Sequence, residues 1–368
     1  MTRTPLGSSL PDFPWDSLAD ATATAAAHPE GMVDLSVGSP VDPVAPGIQL
    51  ALAEAAGAAG YPPTIGTPRL RQAIVAGLAR RYGMTGLAES SVLPVVGTKE
   101  AIAWLPTLLG VSGTVVIPEI AYPTYEVGAL MAGAQPLRAD SLFKIGPARP
   151  DLMFINSPSN PTGKVLGLDH LRKVVQWAQE RNVVLASDEC YLGLGWEDDN
   201  PPISILDPRV CDGDHTNLIA VHSLSKSSNL ASYRAGYLAG DPSLIAELTE
   251  VRKHAGLMVP GPIQAAMVAA LEDDDQEAMQ KLRYAARRAK LVPALIRAGF
   301  RIDNSEAGLY LWATRDEDSR ATVNWLAARG ILAAPGDFYG PAGVKHVRMS
   351  LTAPDERIDA AAARLREH

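Results

Sequence analysis

Four short apolar runs in the middle of the chain, TVVI (114–117), LMFI (152–155), VVLA (183–186) and LIAV (218–221), most narrowly limit what it can fold into. Each is continuous and partly β-branched. That is the pattern of a strand buried on both faces of a parallel sheet; a half-exposed strand would alternate. Between the second and third run, Leu171, Val174, Val175 and Ala178 form an i, i+3, i+4, i+7 stripe, with Asp169 ahead of it as the expected N-cap. Strand, helix and strand in this order predict right-handed crossovers and an open α/β sheet. Ligands of such sheets sit outside the carboxyl ends of the strands, so residues following each run are the site candidates.

Composition narrows the class. At about 150 residues per domain, 368 residues predict two domains, or one large α/β unit with an appendage. Apolar residues make up 47% and charged ones 20%, enough to bury a core and too little charge for disorder. The 33 basic and 41 acidic residues leave a net charge of −8, which argues against nucleic acid or an anionic membrane as partner. Two cysteines, Cys190 and Cys211, provide neither a disulfide framework nor a zinc site, and the histidines form no metal-binding cluster. No apolar leader core follows Met1 and no run is long enough to span a membrane, so a cytoplasmic protein is expected.

A second region starts near Asp275. Acids at 272–275 followed by Lys281, Arg283, Arg287, Arg288 and Lys290 predict a long helix with a solvated charged face and a Glu277–Lys281 pair. The segments at 308–312 and 347–350 read as strands around a helix near 321–329, a small α+β domain that the first 45 residues join. The expected division is 46–275 against 1–45 with 276–368.

The strand ends carry the chemistry. Asn160-Pro161-Thr162-Gly163 follows the second run, Asp188 and Tyr191 the third, and Ser223, Ser225, Lys226 and Arg234 the fourth. Upstream, Val95 through Glu100 reads as strand, turn and helix start around Gly97, Thr98 and Lys99. An acid, an amine, an amide, a phenol and an anion-binding turn thus converge on one sheet edge.

These residues resemble the fold-type I aminotransferases of classes I and II, which use pyridoxal 5′-phosphate. Ser223-x-Ser225-Lys226 with Arg234 eight positions on resembles their cofactor-lysine signature. The Asn160 tetrapeptide, Asp188-x-x-Tyr191, Tyr61 with Gly66 five residues later, and Arg348-x-Ser350 match the same family in the same order. Taken alone, an aspartate after a strand is most often a helix cap and Asn-Pro-Thr-Gly is turn chemistry. Five such motifs in order across nearly the whole chain are specific. The implied fold is a large domain with a mostly parallel seven-stranded sheet plus a small α+β domain.

The resemblance also implies roles. Lys226 would bond to the cofactor aldehyde, which requires a neutral amine; burial and the neighbouring Arg234 favour one. Asp188 would keep the pyridine nitrogen protonated, and Tyr191 and Asn160 would hydrogen-bond the ring oxygen. Ser223, Arg234 and the Gly97-Thr98-Lys99 turn would cup the phosphate, and Tyr122 would stack on the ring. Arg348 would grip the substrate α-carboxylate with a fork that lysine lacks, and Gly38 would let backbone approach the substrate. The tyrosine matching Tyr61 reaches the neighbouring subunit's phosphate, which implies a homodimer.

Within the family the chain is most similar to actinobacterial N-succinyldiaminopimelate aminotransferases of lysine biosynthesis. The expected reaction moves an amino group between glutamate and a keto acid. Aspartate or broad-specificity transamination is the alternative, and a carbon–sulfur β-lyase shares the same motifs. A cofactor-binding transcriptional regulator is disfavoured because the first 45 residues are not basic, and a dinucleotide oxidoreductase because no complete glycine fingerprint occurs. The chain departs from the family in having Ala231-Ser232-Tyr233 before Arg234, where glycine and often proline are usual. His222 is expected to be a core histidine, with no partner assigned.

Overall fold

A computed structural model describes residues 5–147 and 149–366; residues 1–4, where the expected lack of a leader begins, lie outside them. The strands Val92–Val96, Ala235–Gly240, Leu218–Ser223, Val184–Asp188, Leu152–Asn156, Thr114–Ile117 and Gln135–Arg138 lie side by side in that order in one seven-stranded sheet. Ala235–Gly240 alone runs against its neighbours. All four apolar runs are strands, and consecutive residues turn to opposite faces. Leu185 and Ala220 pack in the apolar cluster on one side; Ala186, Ile219 and Val221 pack in that on the other. The Ala235–Gly240 strand has no β-propensity signature. It forms because small residues let it close against its neighbour, where a Cβ at Gly240 would meet the Leu218 carbonyl.

The crossover helix spans Leu168–Glu180 and buries Leu171, Val174, Val175, Trp177 and Ala178 against the sheet. Asp169 is not its cap. Gly167 holds that position and Asp169 lies in the first turn, where its charge still favours the helix dipole.

A four-stranded antiparallel sheet, Ala334–Pro335, Val347–Ser350, Tyr310–Thr314 and Arg301–Ile302, forms the second layer system. The N-terminal segment adds the Ala19–Ala26 helix and the Val33–Asp34 strand, which pairs with Ile331–Leu332. Leu18, Val33 and Leu35 share an apolar cluster with Leu311, Trp312 and Val347. On these contacts we propose the division 46–275 against 1–45 with 276–368. Its second boundary falls in the first turn of the Asp274–Arg297 helix, which therefore bridges both parts.

That helix corrects the solvated-face expectation. Glu277 pairs not with Lys281 but with Arg81, and it also accepts from the Tyr82 hydroxyl at 2.9 Å. Arg287 is buried between Asp42 (2.6 Å) and Asp355 (2.7 Å). A charge pattern in sequence does not distinguish groups facing water from groups that staple helices together.

Candidate active site

A cavity of about 1470 Å³ opens at the carboxyl ends of the parallel strands. Its wall includes Thr98, Lys99, Tyr122, Asn160, Asp188 and Tyr191, and it continues through Ser223, Lys226, Arg234, Arg348 and Gly38. Local sequence explains part of the gathering, because Asp188 and Ser223 end their strands and Asn160 and Lys226 lie in the segments that follow strand ends.

Lys226 sits in the turn after the Leu218–Ser223 strand and donates through Nζ to the Gly38 carbonyl. Burial, and then the positive charges of Arg348 and Arg234, hold its pKa below the usual lysine value against an opposing effect of Tyr310. Asp188 ends its strand, buried, and begins no helix. Its carboxylate accepts from the Tyr125 hydroxyl at 2.7 Å and the Cys190 N–H at 3.2 Å. Burial raises its pKa, and these bonds oppose that by stabilising the anion.

The Asn160 Oδ1 accepts from Arg348 Nη1 at 3.0 Å, and the Asn160 backbone N–H is held by Asn156 Oδ1 at 2.7 Å. Asn156 in turn donates to the Asp188 carbonyl at 2.8 Å, linking two strand ends. The Tyr191 hydroxyl lies 3.2 Å from that of Tyr310, and burial pushes its pKa up. Tyr122 lines the cavity and also packs edge-on against Tyr125, with its pKa pushed up to about 12 by burial.

Gly97 has φ +78° and precedes the Thr98–Leu108 helix, whose N-terminal N–H groups face the cavity edge beside Arg234. A Cβ at Gly97 would collide with Arg234 Nη2, so glycine is required for the guanidinium to approach that helix end. The altered loop before Arg234 keeps the charge in place through a positive φ of 57° and a bond from Nη1 to the Ala231 carbonyl at 2.7 Å. The Ser223 hydroxyl lines the cavity while accepting from Ser225 N–H at 3.1 Å.

Arg348 is 2% exposed and has no carboxylate partner among the described residues. Nη2 donates to the Ser36 carbonyl at 2.6 Å, and the guanidinium lies 4.1 Å over the Tyr310 ring. Its Nε is buried without a partner among the described residues. A buried cation with no carboxylate paired to it calls for an anionic ligand. Gly38 lies so close to Tyr310 that a Cβ there would strike the phenol. Pyridoxal phosphate fits this donor set: an amine, a buried carboxylate and an anion cradle line one cavity. Tyr61 is not among these residues; it is 96% exposed and outside the cavity wall.

Several wall residues carried no sequence signal. Tyr310 in the wall and Tyr125 behind it had no role assigned from sequence, and only folding places Tyr125 against Asp188 and Tyr310 against Arg348. Phe13 and Trp15 of the N-terminal segment cover the outer cavity, with Trp15 against Phe338 (5.1 Å) and Lys99 5.4 Å from the Phe13 ring. There Arg138 is already paired with Glu126, and Arg320 with Asp337.

The family model for aminotransferase class I and II matches residues 30–365. A Mycobacterium tuberculosis protein named "Probable aminotransferase" is 66% identical over 98% of this chain and 86% of its own. OxyQ of Streptomyces rimosus, a 4-dedimethylamino-4-oxo-anhydrotetracycline transaminase, is 55% identical over 97% of this chain and 99% of its own. A crystal structure of an aminotransferase from Neisseria meningitidis superposes with a TM-score of 0.88 at 28% identity, covering 99% of this chain and 98% of that one.

Proposed function

The chain belongs to the class I and II aminotransferases, a pyridoxal phosphate-dependent family, and from that premise we propose that it moves an amino group between glutamate and N-succinyl-2-amino-6-ketopimelate. The observation that carries the reading is Arg348, a buried cation without a carboxylate partner, facing the same cavity as the amine of Lys226. It suits a substrate that presents a carboxylate beside its reacting carbon. The cavity, at about 1470 Å³, is large, which suits a long keto acid held together with a cofactor.

When bound, pyridoxal phosphate supplies an aldehyde that links to amines and a pyridine ring that withdraws electrons. Lys226 Nζ would take the proton from the substrate α-carbon and hold it for return. Its lowered pKa keeps a larger fraction of the amine neutral and able to accept. Asp188, steadied by Tyr125, would provide the fixed negative charge that keeps the ring nitrogen protonated. Ser223, Arg234 and the N–H groups at Thr98 and Lys99 would hold the phosphate. Asn160 and Tyr191 would bond the ring oxygen, and Tyr122 would cover the ring. Arg348 and the Gly38 backbone orient the substrate. We further propose a homodimer in which Tyr61 serves the neighbouring site, and a cytoplasmic location; no described helix is long and apolar enough to cross a membrane.

A second reading rests on the identity with OxyQ and on the aromatic outer wall of Phe13, Trp15 and Phe338: a bulky ring ketone as acceptor. Supplying glutamate with each acceptor and measuring 2-oxoglutarate separates the two. Release with N-succinyl-2-amino-6-ketopimelate supports the first. No release with it, and turnover of aspartate, alanine or a ring ketone instead, overturns it.

A further inference from the structure

His222, which the site does not use, has a partner. It lies on the sheet face opposite the cavity, between the rings of Tyr237 (5.3 Å) and Tyr82 (6.4 Å). Its Nε2 faces Glu189 Oε2 at 3.5 Å. Both atoms are buried, and neither has a hydrogen-bond partner among the described residues. A small space of about 20 Å³ lies against them, walled also by Arg81, Tyr82, Tyr237 and Glu277. That is room for one water, which needs about 10–15 Å³ and at least two polar partners. Glu189 is anchored at its other oxygen by the Ile205 N–H at 2.9 Å, and its own N–H by the Val221 carbonyl at 3.0 Å.

We propose that Glu189 and His222 form a buried carboxylic acid–imidazole couple, closed through one water, that holds a single proton on Glu189 and so leaves Asp188 as the anion of the Asp188–Glu189 neighbours. Two adjacent buried carboxylates do not both ionise cheaply. With Glu189 neutral, the negative charge falls on the residue that faces the cavity. The groups packed around the couple support this. Arg81 is occupied by Glu277 and Asp274, and no cation pairs with Glu189 among the described residues apart from the histidine itself, if protonated. Tyr237 is buried and Tyr82 and Cys190 partly so, all with pKa values raised by desolvation, hence neutral. Burial pushes Glu189 up to about 7, with the Asp188 charge adding to it and bonds from Ser204, Ile205 and Ser187 opposing. Burial alone pushes His222 down to about 3.

The consequence is measurable without cofactor. Between these two values the folded couple holds one proton. The unfolded pair, with ordinary values of 4.5 and 6.5, also holds one, but on the histidine. The couple therefore adds no pH dependence to stability between about pH 5 and 6. Glu189→Gln keeps a donor to Nε2 but removes the carboxyl, leaving a neutral folded histidine that must charge on unfolding. Its unfolding constant relative to the parent should rise about tenfold for each unit by which pH falls. His222→Phe keeps the ring between the tyrosines and leaves a neutral folded carboxyl. Its relative unfolding constant should rise about tenfold for each unit by which pH increases. Urea unfolding of the full chain across this range reads both slopes, and the double variant should restore the parent profile. Opposite slopes support the couple; slopes of one sign, or none in either variant, overturn it. The role given to Asp188 rests on the proposed function, but these slopes do not, so the two fail separately. Should either single variant not fold, a crystal structure of the parent decides: a water bonded to both Glu189 and His222 supports the couple, and a dry space overturns it.

Discussion

Arg348→Lys tests how the substrate carboxylate is held. A guanidinium has five N–H donors. Here Nη1 serves Asn160 and Nη2 serves Ser36, which leaves three donors, among them the buried Nε. A planar carboxylate can take two of these in parallel. Lysine keeps the charge but loses the fork, the stack on Tyr310 and at least one substrate bond. A hydrogen bond to a charged group contributes about 1.5–3 kcal/mol, so kcat/KM for glutamate should fall about 10- to 150-fold. Arg348 touches neither Ser223, Arg234 nor the helix end at Thr98 and reaches the cofactor only through Asn160, so cofactor affinity should fall much less than kcat/KM. Single-turnover kinetics with glutamate gives the first number, and titration of the cofactor-free protein gives the second. If Arg348→Lys kept glutamate kcat/KM within about threefold, or lost it only in step with cofactor affinity, the carboxylate role would be refuted.

Lys226→Ala should remove the visible absorbance of protein-linked cofactor and the label fixed by borohydride reduction; a label persisting in that variant would move the linkage to another amine. Gly97→Ala forces a methyl into Arg234 and should weaken cofactor binding at least about tenfold, read by equilibrium dialysis, while circular dichroism stays unchanged. Lys226→Met should stabilise the cofactor-free chain, with Tm rising by about 2–4 °C per kcal/mol relieved. The sign follows from linkage: the folded pKa lies below the usual lysine value, so the unfolded state binds the proton more tightly and the parent gains stability as pH rises toward that value. The methionine variant should lack that gain, and a parent whose stability is equally flat across alkaline pH would count against a buried amine.

Much of the site was legible because its parts are local. Asn160-Pro-Thr-Gly and Ser223-x-Ser-Lys226 are turns whose geometry depends on residues a few positions apart, and each lies directly after an apolar run that declares a strand. The same locality explains the misses. Asp169 and Gly167 are both acceptable helix starts, and only the folded backbone chooses between them. Glu277 has a suitable partner four residues on, yet folding brings Arg81 nearer. The Ala235–Gly240 strand has no pattern of its own, since its neighbours supply the ladder and its glycines only permit it.

By itself the sequence determined the parallel sheet, the order of the polar groups along its edge and the kind of chemistry those groups can perform, because strand burial and turn formation are written in contiguous residues. Tertiary structure alone decided which of those groups meet: Tyr125 with Asp188, Arg348 with Asn160 and Ser36, Glu189 with His222. These contacts join segments far apart in the chain or on adjacent strands. A hydrogen bond between them leaves no periodic trace, because its geometry is set by how layers pack and not by spacing along the backbone.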